Sequence, residues 1–210
     1  MTELNAETSK FGILMSESNK ALGAVYTNIS GMNLESKELA KSLALTASQL
    51  TKLGVSIDVT TKNQNLLMKS FKMSGPVADR TLKDIAGSAK DLGLTADQMS
   101  SQFGDAMGYL ASFGNEGVQS FKDLAAQAGV TGVAISKMLD MTKSFDKFSD
   151  GAKKAAQLNS VLGTSLSSMA LMTMNPAQRM AELRSQIQMA TGGVNNMTQA
   201  QKLFIAEAMG

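Results

Sequence analysis

At 210 residues the chain has the length of one or two domains, and 20 basic against 18 acidic residues leave a formal charge of only +2. It has no Cys and no His, which excludes disulfides, thiol catalysis and zinc-cysteine sites and removes the commonest general base and metal ligand. No run of like charge exceeds Lys153-Lys154, so the clustered basic face of a nucleic-acid module is missing and no specific nucleic-acid site is expected.

The hydrophobic share is 43%, with Met 16, Phe 8, Tyr 2 and Trp 0. A methionine-rich interior is soft: it fills irregular gaps, tolerates repacking and specifies one packing less sharply than a Leu, Ile and Phe core. The opening Met1-Thr2-Glu3-Leu4-Asn5 lacks the basic region and apolar run of a signal peptide. The longest apolar stretch, residues 162–174, is broken by Gly, Ser and Thr and falls short of a membrane span.

From Phe11 onward, Met15, Ser18, Leu22, Val25, Ile29, Met32, Ser36, Leu39, Leu43, Thr46, Leu50 and Leu53 alternate in steps of four and three. That is a coiled-coil period. Two readings fit it, a long helix or coiled-coil-like pair, and two amphipathic helices in phase across Gly31-Met32-Asn33. The second is favoured, because Gly12, Gly23 and Gly31 each weaken a continuous helix by about 1 kcal/mol relative to Ala.

Short helices are predicted beyond Gly54. Residues 63–73 form one, ended by Ser74-Gly75-Pro76; Ala78, Leu82, Ile85, Ala89 and Leu92 stripe the next, ended by Gly93. Thr95 with Gln98 makes a capping box for a helix whose stripe is Met99, Phe103, Met107, Leu110 and Phe113. Val118, Phe121, Leu124 and Ala128 follow on another. Thr131 is expected to cap a helix with Ile135, Met138, Leu139, Thr142, Phe145 and Phe148 inward, and Asp150-Gly151 to end it. Residues 152–162 and 165–174 make two more, and Asn175-Pro176 opens a helix striped by Met180, Leu183, Ile187 and Ala190. Thr198 with Gln201 caps the last. Nothing alternates with period two, so no sheet is predicted and the fold class is all-α, built of helical hairpins.

One junction recurs: Gly31-Met32-Asn33, Gly54-Val55-Ser56, Gly93-Leu94-Thr95, Gly129-Val130-Thr131, Gly163-Thr164-Ser165 and Gly193-Val194-Asn195. Glycine accepts the left-handed conformation that closes a helix, and a hydroxyl or amide two residues on caps the next. The spacing approaches that of helical-hairpin repeats but shrinks along the chain, and the Trp and Tyr positions of tetratricopeptide repeats are missing, so non-repetitive hairpins are expected. In domain terms, residues 1–54 read as a heptad-like helical region and 55–210 as a region of short helices.

Few residues suggest chemistry. Glu35-Ser36 resembles the start of the lytic transglycosylase signature, but the motifs that follow there are missing and a solvated helical glutamate is the better reading. Gly104 and Gly108 suit close helix packing rather than a phosphate loop. Asp140, Asp146 and Asp150 lack the central glycine of a calcium loop and are expected to pair with Lys137, Lys143 and Lys147. Met169-Ala170-Leu171-Met172-Thr173-Met174 reads as gap-filling core or as a promiscuous binding surface. No catalytic, cofactor-binding or metal-ligating residue is assigned, and no cofactor.

Phe145-Asp146-Lys147-Phe148-Ser149-Asp150-Gly151-Ala152, Ala155-Ala156-Gln157-Leu158-Asn159 through Leu162-Gly163, Met169, and Asn175-Pro176-Ala177-Gln178-Arg179 look like segments of tail tape measure proteins of tailed bacteriophages. Met197-Thr198-Gln199-Ala200-Gln201-Lys202 through Ala208-Met209-Gly210, Asp91-Leu92-Gly93-Leu94-Thr95 and Phe121-Lys122-Asp123-Leu124-Ala125 extend the likeness over roughly residues 60 to 210. The resemblance implies a non-enzymatic virion structural protein: a helical scaffold and length ruler inside the tail tube, made in the host cytoplasm and ejected at infection. Its implied partners are tail tube and tail assembly chaperone proteins, copies of itself, and the host membrane at infection. Such proteins are far longer, so this chain is expected to be a segment of one. The alternatives from other classes are a membrane-active or secreted helical effector and, remotely, a peptidoglycan-degrading enzyme.

Overall fold

The computed structural model describes residues 2–209. Among these the chain is all-helical, with twelve α-helices, four short 3-10 turns and no strand. It divides into two compact units at Asn115 and Glu116, so the region 1–54 lies wholly inside the first.

The first unit holds α1 (Thr2–Ser9), α2 (Met15–Asn28), α3 (Lys37–Thr51), α4 (Ile57–Ser70), α5 (Gly75–Ser88) and α6 (Ala96–Leu110). The heptad pattern is carried by a pair of helices, not by one long helix. Ile29 is extended, Gly31 is left-handed, a 3-10 turn covers Met32–Leu34, and the Ser36 hydroxyl then accepts from Leu39 N–H to start α3. Ala21, Val25, Ile29 and Met32 pack with Ala40, Leu43, Ala44 and Ala47 in one cluster, so the seam that suggested a coiled coil is a hairpin interior. Ser18 is tolerated on it because its hydroxyl donates to Leu14 O at 3.0 Å and shares a hydrogen bond with Thr8.

Around α3 and α4 the remaining helices close: α4 packs against α2, α3, α5 and α6, and α5 against α3 and α6. Helix α4 starts at Ile57, six residues before the expected Asn63. Ser56 accepts from Val59 N–H, and the buried Thr60 and Thr61 hydroxyls donate back to Ser56 O and Ile57 O, so a polar first turn is satisfied internally. Thr95 and Gln98 form the expected capping box on α6, whose Met99, Phe103, Met107 and Leu110 are buried.

The second unit holds α7 (Glu116–Thr131), α8 (Ile135–Lys143), α9 (Phe148–Leu162), α10 (Ser168–Thr173), α11 (Pro176–Thr191) and α12 (Gln199–Met209). Helix α11 is central and packs on α7, α8 and α9, while α9 carries α10 and α12. Its start is the expected one: Asn175 accepts from Gln178 N–H, and the Gln178 side chain accepts from Asn175 N–H. The Thr198 and Gln201 box on α12 also forms.

In this second unit three expected boundaries move. Helix α7 runs through Gly129 to Thr131, Gly132 takes the left-handed turn at φ +71, and α8 opens at Ile135 without a side-chain cap. Asp150-Gly151 lies inside α9, not at a helix end. A Cβ at Gly151 would sit 3.3 Å from Phe145 Cδ1, so the glycine lets α9 close over that ring, while Asp150 suits the positive N-terminal turn. Phe148, expected inward, is exposed at the start of α9. Helix α10 starts at Ser168 rather than Ser165. Asn159 accepts from Thr164 Oγ1 and Leu166 N and donates to Leu166 O, pinning the linker until Ser167 can cap.

Candidate functional site

The residues with chemical potential are mostly dispersed. Glu35 is exposed beside the capping Ser36. Gly104 does mark a close approach: a Cβ there would lie 2.5 Å from Asn63 Oδ1, whereas nothing lies within 4 Å of one at Gly108. Asp140 pairs with Lys143 at 3.1 Å on the surface, as expected. Asp146 pairs with Arg179, a partner that lies thirty-three residues on and outside the lysine set expected for it. Among the described residues no group of three or more His, Cys, Asp or Glu could hold a metal ion, and no helix is long and apolar enough to cross a membrane.

Two buried polar clusters serve the folds of their units. Arg179 is 2% exposed, with Nε donating to Leu171 O at 2.7 Å, Nη1 to Thr142 O at 2.9 Å and Nη2 to Met172 O at 3.2 Å. Those carbonyls lie in the last turns of α8 and α10, where Thr142 O also accepts from Phe145 N–H and Leu171 O from Met174 N–H; one guanidinium thus ties the ends of both helices together, and Asp146 balances its charge. In the first unit Asp79 accepts from Gln64 Nε2 at 2.7 Å and from Ser42 Oγ at 3.4 Å, and Gln64 also donates to Leu43 O. Burial pushes the Asp79 carboxyl above its ordinary value of 3.8, opposed by hydrogen bonds from Gln64 and Thr46, the charge of Lys83 and the Ser42 hydroxyl. Among the described residues, buried Gln64 Oε1 has no hydrogen-bond partner.

The candidate site is a groove of about 670 Å³ in the second unit. Helix α8 contributes Met138 and Met141; α11 contributes Met180, Leu183 and Ile187; Val130 comes from the last turn of α7 and Val133 from the α7–α8 turn. Met197 and Ile205 of the C-terminal segment complete the apolar wall, and Arg184 and Lys202 bring two cations to it. Four of its side chains are methionines, yet none belongs to the Met169–Met174 cluster singled out by composition. That cluster divides: Leu171 is buried, Met174 packs on the core and Met169 is exposed.

The chain matches no family model, no curated protein and no solved structure. The groove's character therefore rests on its own residues. Its apolar residues were legible only as helix stripes: Met138, Met180, Leu183 and Ile187 all sit at expected inward positions, but no periodicity says where two stripes fail to meet. Arg184 and Lys202 gave no signal, since an isolated cation on an exposed helix face is ordinary.

Proposed function

We propose that this chain is a non-enzymatic helical segment of a tail tape measure protein, serving as scaffold and ruler in a phage tail tube. The observation that carries the reading is the way the helices end. Among the described residues none is longer than 16 residues, and left-handed glycines stand at the turns after α3, α9 and α11, at Gly54, Gly163 and Gly192. Glycine passes between left- and right-handed helical conformations with little strain, so such turns can straighten without remaking the chain. A rod of continuous helix rises about 1.5 Å per residue, which turns residue number into length. The resemblance to tape measure segments supplies the biological setting, with tube and assembly chaperones as partners, self-association, membrane contact at infection, and residence in the tail lumen after synthesis in the host cytoplasm.

The test is genetic. In-frame deletion or duplication of this segment within its parent reading frame is expected to shorten or lengthen tails in proportion to the residues changed, measured by electron microscopy. Unchanged tail length in viable particles would defeat the ruler.

A further inference from the structure

We propose that the methionine-lined groove of the second unit binds a free long-chain carboxylate. Its volume of about 670 Å³ lies in the range of small-ligand sites, roughly 300–1,000 Å³. A thin, flexible chain suits it. The walls formed by Met138, Met141, Met180 and Met197 are unbranched and polarizable, and they repack around an alkyl chain without fixing its path.

Charge selects the head group. Arg184 and Lys202 line the groove, and among the described residues no acidic side chain does. Both cations favour an anionic head group over a cationic one, and Arg184 can present a bidentate fork to carboxylate oxygens. A cationic amphiphile of equal length meets repulsion in the same place. Val130, 77% exposed on the rim, keeps an apolar surface in solvent that the bound chain covers.

Calorimetric titration of the full chain with laurate below its micellar concentration tests this. The expected result is saturable binding at one site, with dodecyltrimethylammonium weaker by about tenfold or more. Arg184→Gln with Lys202→Gln is expected to weaken laurate by about tenfold while leaving the cationic amphiphile unchanged. Both positions are exposed, so the fold should persist, which circular dichroism checks. Val130→Glu, on the exposed rim, is a second variant expected to weaken laurate. Methyl-labelled methionine spectra place the site: Met138, Met141, Met180 and Met197 should shift and Met32 should not. Equal affinity for the two amphiphiles, laurate binding indifferent to all three substitutions, or shifts confined to other methionines would each overturn the proposal. So would binding of anionic diacyl vesicles or of an acidic amphipathic peptide without binding of free laurate. None of these outcomes bears on tail length, so the ruler reading stands or falls separately.

Discussion

Asp79 shows how a single buried group makes stability depend on pH. Its folded carboxyl titrates above 3.8, so between that value and the raised one the native state holds more protons than the unfolded chain. Stability contributed by this group therefore falls as pH rises through that window and is level above it. Asp79→Asn keeps an acceptor for Gln64 and has no charge to bury. The melting temperature of the variant minus that of the parent is expected to grow from pH 4 toward neutrality; a difference constant with pH would mean that the carboxyl is not displaced. Asp79 and Arg179 were both hidden from pattern reading for one reason. Each lies on the buried side of its helix, Asp79 three residues before Leu82 and Arg179 four before Leu183, where apolar stripes are sought and charges are passed over. A charge in phase with a core stripe was the signal available.

At the scale of the element, α6 sets two glycines four residues apart against each other. Gly104 faces Asn63, which is buried and held by its hydrogen bond to Ser100 O at 2.8 Å, so an added methyl must displace a fixed amide. Gly108 is exposed with open space beside it. Gly108→Ala is expected to stabilise by about 0.5–1 kcal/mol through helix propensity. Gly104→Ala, with the same propensity gain, is expected to destabilise by about 1–2 kcal/mol through overpacking and a strained hydrogen bond. Urea midpoints of the two variants give the comparison. Helix existence and facing were legible because stripes such as Met99, Phe103, Met107 and Leu110 repeat at helical spacing. Caps were legible where a box was complete, at Thr95 and Thr198, and where proline set the first turn, at Asn175-Pro176. They were misplaced where tertiary contacts decide, as at Ser165, whose N–H donates to Gln186 while Asn159 holds Thr164 and Leu166 on either side of it, and at Gly151, which Phe145 draws into a helix.

For the whole molecule, the division at Asn115 and Glu116 predicts that residues 1–115 fold alone, since the first unit has its own core around Leu43, Ala44 and Ile57. That fragment is expected to give helical circular dichroism and a cooperative melt; a non-cooperative one would place part of its stability in the second unit. The sequence offered no sign of this boundary, because Gly114-Asn115 looks like every other turn in the chain. The Arg179 guanidinium has a further consequence within the second unit. Helix α10 has only six residues, too few to stand unsupported in water, and the carbonyls at its end are held by a side chain from α11. Release of Arg179 is therefore expected to free both ends at once, so that in native-state hydrogen exchange the amides of α10 and of the end of α8 share one opening free energy; unequal values would uncouple them.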